Sequence, residues 1–583
     1  MPVVESPAPT TTHGIRFWLV FVALCFCVLL SALDLAGVST AAPTIVAELH
    51  GSDFSWVGSA YTLSSAACLP LSGNLAQIFG RKHVTMSMVV IFGIGSAVSA
   101  SARSMTVLIV GRGVGGGGTQ ALVYIVTADL VPLRERGTFT GITGMIWTLG
   151  SITGPFIAGG LAQKATWRWL FYLNLPLCAL AFLAVALFLD LPTPEGRILE
   201  KLAKIDWIGN ILIIASSTSC MLGLTWGGGR FPWSSPPVLA PLVIGLVGLG
   251  LSFVYEIGFA TYPTIPKVVL ANRTSQLGYI ASFIHGVVAL SITFYLPTWF
   301  QSVRSATPIQ SGLYFLPMVA TISPFAIVEG LIVAKLGHYR LVNLVGWGAL
   351  LLGVGLFVSL HRTTSLGLIV LFQLIQGVGL GMLYATTFVV LAPLPISENA
   401  SALSLLTFVR TFSQSWGIAI AGSVIQNKLS GTLPKSVIRQ FSSPSDLVYG
   451  VIPEISTMPE PLKLQVQDAF VESIKLVWII MASLCAIGLL TVCLIKDIPL
   501  SRQVDKKWGL RERPPGTEIE LVQPESEIVE VGPVKPNNDS IIIEVVRKST
   551  GISPVDESAR PSETSQGRKQ VRENLTSNAQ IRI

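Results

Sequence analysis

The segment Gly73-Asn-Leu-Ala-Gln-Ile-Phe-Gly-Arg-Lys82 has a counterpart 257 positions further along the chain. That counterpart is Gly330-Leu-Ile-Val-Ala-Lys-Leu-Gly-His-Tyr-Arg340, and both copies place two glycines seven residues apart, directly before basic residues. The motif Arg112-x-x-x-Gly116 is similarly followed, after 261 positions, by Gln373-x-x-x-Gly377. A nearly constant offset between paired motifs is the signature of an internal repeat. The sequence therefore predicts two duplicated halves.

Around these motifs the chain is strongly apolar. Of its 583 residues, 51% are hydrophobic and only 12% are charged, whereas a soluble globular protein carries about 25% charged residues. Apolar runs of the length that a helix needs to cross a bilayer recur from Arg16 to Lys496. We count fourteen such spans, arranged as six, two and six. An all-α polytopic membrane protein is predicted, and a water-soluble enzyme is excluded.

The spans and the polar breaks between them divide the chain into five segments. We predict the following organisation: residues 1–15 as a disordered cytoplasmic N-terminus, 16–191 as an N-terminal six-helix half, 192–274 as a linker with two inserted helices, 275–496 as a C-terminal six-helix half with an extracellular loop at 427–474, and 497–583 as a disordered cytoplasmic tail. Twelve Lys and Arg residues fall in the loops that this arrangement places inside and six in the outer loops, which predicts that both termini are cytoplasmic.

Several functional classes lack the residues that they need. The seven cysteines all lie in apolar runs, and no His, Cys and acidic residues cluster at metal-ligand spacing, so we expect neither a disulfide framework nor a metal or other cofactor. No phosphate-binding loop is present. The tail balances 13 basic against 13 acidic residues, which gives no indication of nucleic-acid binding. Transport energy would have to come from an ion gradient or from the substrate gradient.

Two charged residues inside spans are the first functional candidates, and Asp34 is the candidate proton carrier. Asp34 lies in the first span, where low dielectric favours proton binding by a carboxylate. Alternatively, it is a structural carboxylate bonded to the next helix. Arg112 lies in the fourth span, where a central arginine needs a partner or a water-filled cavity. Alternatively, the span begins later and Arg112 reaches the outer interface.

Other polar and aromatic residues extend this set. Arg410 and Glu329 are further charges within spans, whereas Asp129 and Glu256 lie near span ends and are interpreted as interfacial. Aromatic and amide side chains suit a cavity that binds organic molecules. The predicted substrate-cavity residues are Tyr61, Tyr124, Trp147, Phe294, Tyr295, Gln373, Gln376 and Gln414.

The candidate gating residues lie in the repeated loop motif and in the fifth span. The glycines of the fifth span permit close helix contact, and its proline bends the helix. The set comprises Gly73, Gln77, Gly80, Arg81, Gly150, Gly154, Pro155, Gly159 and Gly160.

Five motifs in order along the fourteen spans resemble the major facilitator superfamily, and within it the fourteen-helix drug:proton antiporters, especially the fungal members. The motifs are the segments Ala32–Ile45, Gly73–Lys82, Arg112–Gly118, Gly150–Leu161 and Trp167–Pro176. The resemblance implies that Arg112 is linked to proton transfer and that the fifth-span motif takes part in antiport. Gln77 stands where the family usually has aspartate, so the inner-gate ion pair of the family cannot form from this position.

The sequence and the resemblance together predict a proton-coupled secondary transporter that exports drugs or toxic small metabolites by alternating access. The expected partners are a small-molecule substrate, protons and the lipid bilayer, with the protein as a monomer in the plasma membrane. A vacuolar transporter of basic amino acids remains an alternative, and would need acidic residues in the cavity. A membrane receptor or scaffold that acts through its tail is the alternative from a different class.

Overall fold

The computed structural model describes residues 14–49, 55–116, 119–133, 135–228, 231–439 and 451–500. Its fold is all-α. Residues 1–13 and 501–583, on which the two predicted disordered termini fall almost entirely, lie outside the described residues. The predicted domain boundaries stay predictions.

Each predicted span corresponds to one helix or to two consecutive helices. The helices of the N-terminal half are α1 (Ile15–Leu49), α2 (Ser55–Phe79), α3 (Arg81–Ala100), α4 (Met105–Gly115), α5 (Thr119–Leu130), α6 (Arg136–Lys164) and α7 (Arg168–Phe188). The linker contains α8 (Ile198–Leu202), α9 (Trp207–Trp226), α10 (Pro236–Gly258) and α11 (Lys267–Ala271). The C-terminal half contains α12 (Arg273–Arg304), α13 (Pro308–Leu336), α14 (Tyr339–Phe357), α15 (Leu366–Met382), α16 (Thr386–Leu391), α17 (Asn399–Thr432), α18 (Lys435–Ile438) and α19 (Leu462–Cys493).

Ten stretches of the described residues are long and apolar enough to cross a membrane. The four predicted spans that fall short correspond to α2, the pair α4 and α5, α6, and α17. The full count of fourteen therefore stays a prediction. Each of these four spans contributes polar side chains to a central cavity described below.

The fourth and twelfth spans are each interrupted, but not at positions that the repeat offset pairs. The fourth was predicted as one continuous span, but α4 ends at Gly115 with Gly116 as its C-cap, and the described chain resumes with α5 at Thr119. Glycine within a helix costs about 1 kcal/mol relative to alanine. A Cβ atom on Gly116 would lie 3.0 Å from the backbone nitrogen of Ser65, so the break lets the chain touch α2. In the twelfth span a short 3-10 turn at Leu383–Ala385 separates α15 from α16. Interrupted helices are typical of transporter binding sites.

The glycines of the fifth span pack α6 against α1 inside the N-terminal half. A Cβ atom on Gly150 would lie 2.7 Å from the Cβ atom of Ala32, and one on Gly154 would lie 3.0 Å from the carbonyl oxygen of Leu33. By contrast, a Cβ atom on Gly160 would meet nothing within 4 Å. The motif therefore fixes one helix pair tightly at its first two glycines.

Two further predictions concern the fifth span and the loop before the last span. The surroundings of Pro155 and Gly159 lie outside the described part of α6. Within the predicted loop 427–474, α17 continues to Thr432 and α19 begins at Leu462, so both helices extend into the loop, whose bounds stay a prediction. Polar residues at these helix ends are compatible with helices that project beyond the apolar layer.

The repeated glycines bring the two halves into contact at one end of the bundle, here called the gate end. A Cβ atom on Gly73 of α2 would lie 3.0 Å from the carbonyl oxygen of Ala400 at the start of α17. Its counterpart Gly330 of α13 lies against α6, where a Cβ atom would be 2.8 Å from the Cα atom of Gly137. The motif that recurs in the sequence thus makes the same kind of contact between halves twice.

Candidate functional site

Asp34 and Arg112 form an ion pair in the interior of the N-terminal half. Arg112 Nη1 donates to Asp34 Oδ2, and the two residues are only 1% and 3% exposed. A buried pair of opposite charges is expensive to separate, because either charge left alone would be poorly solvated. Arg112 therefore lies within the bundle and does not reach the outer interface. The sequence identified both residues as candidates but did not indicate that they pair with each other.

Neighbouring helices hold this pair in place. Asn174 of α7 donates from Nδ2 to Asp34 Oδ1 at 2.9 Å and to Ser96 Oγ at 3.2 Å. Arg112 Nε donates to the carbonyl oxygen of Val57 at 3.1 Å. Each charged group is thus bonded to its partner and to a neutral group. In the sequence Asn174 was noted only as part of the Trp167–Pro176 motif. An amide side chain within an apolar span was the feature that could have identified it as a partner of a buried charge.

Tyr61 connects the ion pair to a central cavity. The guanidinium carbon of Arg112 lies 4.5 Å from the centre of the Tyr61 ring, which is within cation–π range. The same tyrosine lines the cavity, as does Ser31, one helical turn before Asp34 on α1. A movement of Arg112 would therefore displace Tyr61 and change the cavity wall directly.

The cavity lies between the two halves and has a volume of about 160 Å³. Its wall combines aromatic rings, hydroxyl groups and amides with two arginines. The lining residues are Ser31, Leu35, Tyr61, Thr62, Ser65, Gln120, Tyr124, Arg136, Thr140, Gly144, Trp147, Tyr384, Thr387, Leu403, Leu406, Thr407, Arg410, Thr411 and Gln414. A cavity of this composition suits a small organic molecule.

Four of the eight predicted cavity residues line this cavity. They are Tyr61, Tyr124, Trp147 and Gln414. The other four lie elsewhere. Phe294 is 48% exposed on the outer surface of the bundle, and Tyr295 donates its hydroxyl to the carbonyl oxygen of Ile418 at 3.1 Å.

The two remaining amides are packed inside the C-terminal half. Gln373 donates to the carbonyl oxygen of Tyr314 at 2.9 Å, and Gln376 is fully buried against Gly353. Residue type alone does not give the rotation of a helix about its axis. This is why aromatic and amide side chains were predicted to line the cavity when they face lipid or a neighbouring helix.

The gate end is closed by a hydrogen bond beside the glycine contacts. Gln77 Nε2 donates to Ser401 Oγ at 3.1 Å, which joins α2 to α17. Both groups are neutral, in contrast to the ion pair of the family pattern. Gly80, between α2 and α3, has φ of +91°, a conformation that glycine adopts without strain.

Arg81 does form a buried ion pair, but with a residue that the sequence did not indicate. Its Nε donates to Asp129 Oδ2 at 2.8 Å, and both side chains are almost fully buried. Asp129 is therefore not an interfacial residue as predicted. A buried arginine needs a counter-charge, and Asp129 ends a span at the same end of the bundle. The need of Arg81 for a counter-charge was the sequence feature that could have identified Asp129 as its partner.

Two arginines of the cavity wall make no ion pair among the described residues. Arg136, 4% exposed, donates from Nη2 to the carbonyl oxygen of Ala128 at 2.6 Å, while its Nε and Nη1 have no partner in the described chain. The guanidinium of Arg410 lies 4.9 Å from the centre of the Tyr384 ring, and its Nε and Nη2 are likewise without a described partner. The sequence analysis singled out Arg410 but not Arg136.

Glu329, the other charge noted within a span, does not line the cavity. It is 1% exposed on α13, next to Gly330 of the gate. Its Oε1 has no hydrogen-bond partner among the described residues.

Comparison with known proteins agrees with this architecture. The family model described as "Major Facilitator Superfamily" matches residues 24–418. "Efflux pump FUS6" of Gibberella fujikuroi is 37% identical over 529 residues, covering 88% of this chain and 95% of that protein. "MFS-type efflux pump LUC4" of a Fusarium species is 35% identical over 524 residues, covering 87% of this chain and 93% of that protein.

A solved structure shows the same fold. The human organic anion transporter MFSD10 (TETRAN) superimposes with a TM-score of 0.54 over 82% of this chain and 100% of that chain. Its sequence is 15% identical, so the likeness concerns the fold alone.

Proposed function

This protein belongs to the major facilitator superfamily, and we propose that it is a proton-coupled exporter of small organic molecules. The observation that carries the proposal is the buried pair Asp34–Arg112, which borders the cavity through Tyr61. Curated relatives similar over most of their length are named efflux pumps. We place the protein in the plasma membrane as a monomer, with the gate end and both termini on the cytoplasmic side.

Proton binding at Asp34 is the proposed energy input. With Asp34 ionised, Arg112 is held by its counter-charge and lies against the ring of Tyr61. When Asp34 takes up a proton, the pair loses its Coulomb attraction and Arg112 is free to move. Because Tyr61 touches both Arg112 and the cavity, occupancy by a proton then changes the shape and charge of the substrate site. The two ligands thereby influence each other's affinity.

The glycine contacts supply the conformational step. In the structure the halves are in contact at the gate end through Gly73 and Gly330. We propose that protons reach Asp34 from the other side in this state, and that separation of the halves at the gate end then exposes the cavity to cytoplasmic substrate. The difference in affinity of each ligand for the two states sets how far the population shifts.

The two alternative functions receive no support. A transporter of basic amino acids needs acidic residues in the cavity, but the described lining contains arginines and neither Asp nor Glu. Asp34 lies behind Tyr61 and is paired, and Glu329 is outside the wall. The tail on which a receptor or scaffold would depend lies in residues 501–583, outside the described chain.

The proposal is tested by flux in proteoliposomes that contain the purified protein and an imposed pH gradient. Suitable probes are 2-naphthoate, 2-naphthamide and 2-naphthylmethylammonium, which share a fluorescent ring and differ in charge. We expect at least one probe to move opposite to the proton flow, and a protonophore to abolish this movement. If no probe moves, or if movement ignores the pH gradient, proton-coupled export is contradicted.

A further inference from the structure

We propose that the substrate is an organic anion with a carboxylate or similar acidic group on an aromatic or conjugated skeleton. The inference rests on the proposed transport function and specifies its substrate class. Among the described residues that line the cavity, Arg136 and Arg410 are the charged ones. They come from different halves, since Arg136 begins α6 and Arg410 lies on α17.

Among the described residues, no acidic side chain forms an ion pair with either arginine. Asp129 lies near Arg136, but its carboxylate accepts from Arg81. Asp34 is paired with Arg112 on the far side of Tyr61.

Arg410 has an aromatic neighbour in place of a counter-ion. Tyr384 lies against its guanidinium, and His285 packs edge-on against the same tyrosine at 6.3 Å between ring centres. The cavity wall as described is therefore positive.

An arginine without a counter-charge is costly within a membrane protein. A ligand that supplies the missing negative charge therefore gains the Coulomb attraction and also removes this cost. The nitrogens Nε and Nη1 of Arg136 are buried without a described partner. Guanidinium groups bind carboxylates through paired, charge-assisted hydrogen bonds. A carboxylate in the cavity would supply the missing negative charge, whereas a cationic substrate would meet two like charges.

The remainder of the wall specifies the skeleton of the anion. Three tyrosines and one tryptophan line the cavity, namely Tyr61, Tyr124, Tyr384 and Trp147. Aromatic walls favour flat, conjugated groups through stacked or edge-to-face contacts. Hydroxyl and amide groups such as those of Thr140 and Gln414 lie between them and can bond to carbonyl or hydroxyl groups of the ligand.

The test is equilibrium binding of the three naphthalene probes to the purified full-length protein in detergent, without any gradient. We expect 2-naphthoate to bind most tightly, the amide more weakly and the ammonium compound least. Arg410→Gln is expected to reduce naphthoate affinity by about tenfold or more, in line with loss of a charge-assisted bond, and to leave the affinity for the amide nearly unchanged. Arg410→Lys should retain part of the preference.

Arg362→Gln serves as the matched control, because Arg362 pairs with Asp468 at 3.8 Å and does not line the cavity. It should leave all three affinities unchanged. Arg136→Gln is a second variant, and its affinities are interpreted only if its melting temperature matches that of the native protein. Equal affinity for the three probes, preference for the ammonium compound, or failure of naphthoate to bind at millimolar concentration would overturn the inference.

These outcomes separate the two proposals. Binding that prefers the anion, together with flux that ignores the pH gradient, leaves the substrate class standing and refutes proton coupling. If the cation or the amide is transported in response to the pH gradient but naphthoate does not bind, proton coupling stands and the proposed substrate class is refuted.

Discussion

Arg112 in the N-terminal half and Gln373 in the C-terminal half are repeat counterparts, and each donates to a backbone carbonyl two spans earlier. The acceptors are Val57 for Arg112 and Tyr314 for Gln373, themselves 257 positions apart. The backbone plan is thus the same in both halves, but the charge is not. Arg112 pairs with Asp34, whereas the residue 257 positions after Asp34 is Ser291.

The repeated loop motif shows the same difference. Arg81 of the first copy is buried in an ion pair with Asp129, while its counterpart His338 is exposed and contacts Asp497 at 2.8 Å. Duplication therefore supplies the frame and the gate contacts, and the buried ion pairs of the described residues lie in the N-terminal half. This is why we assign proton coupling to the N-terminal half and leave Arg410 of the C-terminal half for the substrate.

The largest expected effect is on stability. Asp129→Asn leaves the Arg81 guanidinium buried without its counter-charge and should lower the free energy of unfolding by about 3–5 kcal/mol. His338→Ala, at the equivalent place of the second copy, should change it by less than about 0.5 kcal/mol because the side chain is exposed. Thermal melting in detergent compares the two. Similar losses in both variants would mean that the halves do not differ as described.

A bulkier residue at the gate should act next most strongly. Gly330→Val places side-chain atoms where the backbone of Gly137 lies, so the halves should no longer close at the gate end and gradient-driven flux should be lost. In the open gate, a Ser401→Cys reporter should react faster with maleimide, as read by peptide mass spectrometry.

Gly348→Val is the matched control for this change, because a Cβ atom on Gly348 meets nothing within 4 Å. It should preserve both the flux and the labelling rate. Unchanged labelling in Gly330→Val would show that this contact does not hold the gate closed.

The smallest of these effects concerns the neutral gate bond. Gln77→Ala and Ser401→Ala each remove one partner of a bond at 3.1 Å, which is worth about 1 kcal/mol and a shift of about fivefold between open and closed states. The double variant should be no worse than either single one. Fully additive losses in flux would imply that the two residues act independently.

The repeat, the helical fold and the two candidate coupling residues were accessible from the sequence. Glycine spacing and apolar runs are local properties, and Asp34 and Arg112 stood out because charges within spans are rare. The break at Gly116 was missed, although a run of glycines was visible there.

The sequence did not predict which way each helix is rotated about its axis, or which residues far apart in the chain lie close together. Phe294 and Tyr295 are adjacent in α12, yet one faces outward and the other is buried against α17. The pairing of Arg81 with Asp129 spans 48 positions. Only the packing of α3 against α5 brings these two residues together.

The proposed proton coupling depends most on Asp34, and the direct test is to compare transport by Asp34→Asn with transport by Glu329→Gln. Both changes replace a buried acid by its amide, but only Asp34 has an arginine partner that borders the cavity. The measurement is flux of a transported naphthalene probe in proteoliposomes, driven either by a pH gradient or by exchange against internal probe. We predict that Asp34→Asn loses the response to pH but still exchanges probe, and that Glu329→Gln keeps both. Gradient-driven flux that survives in Asp34→Asn would contradict the account.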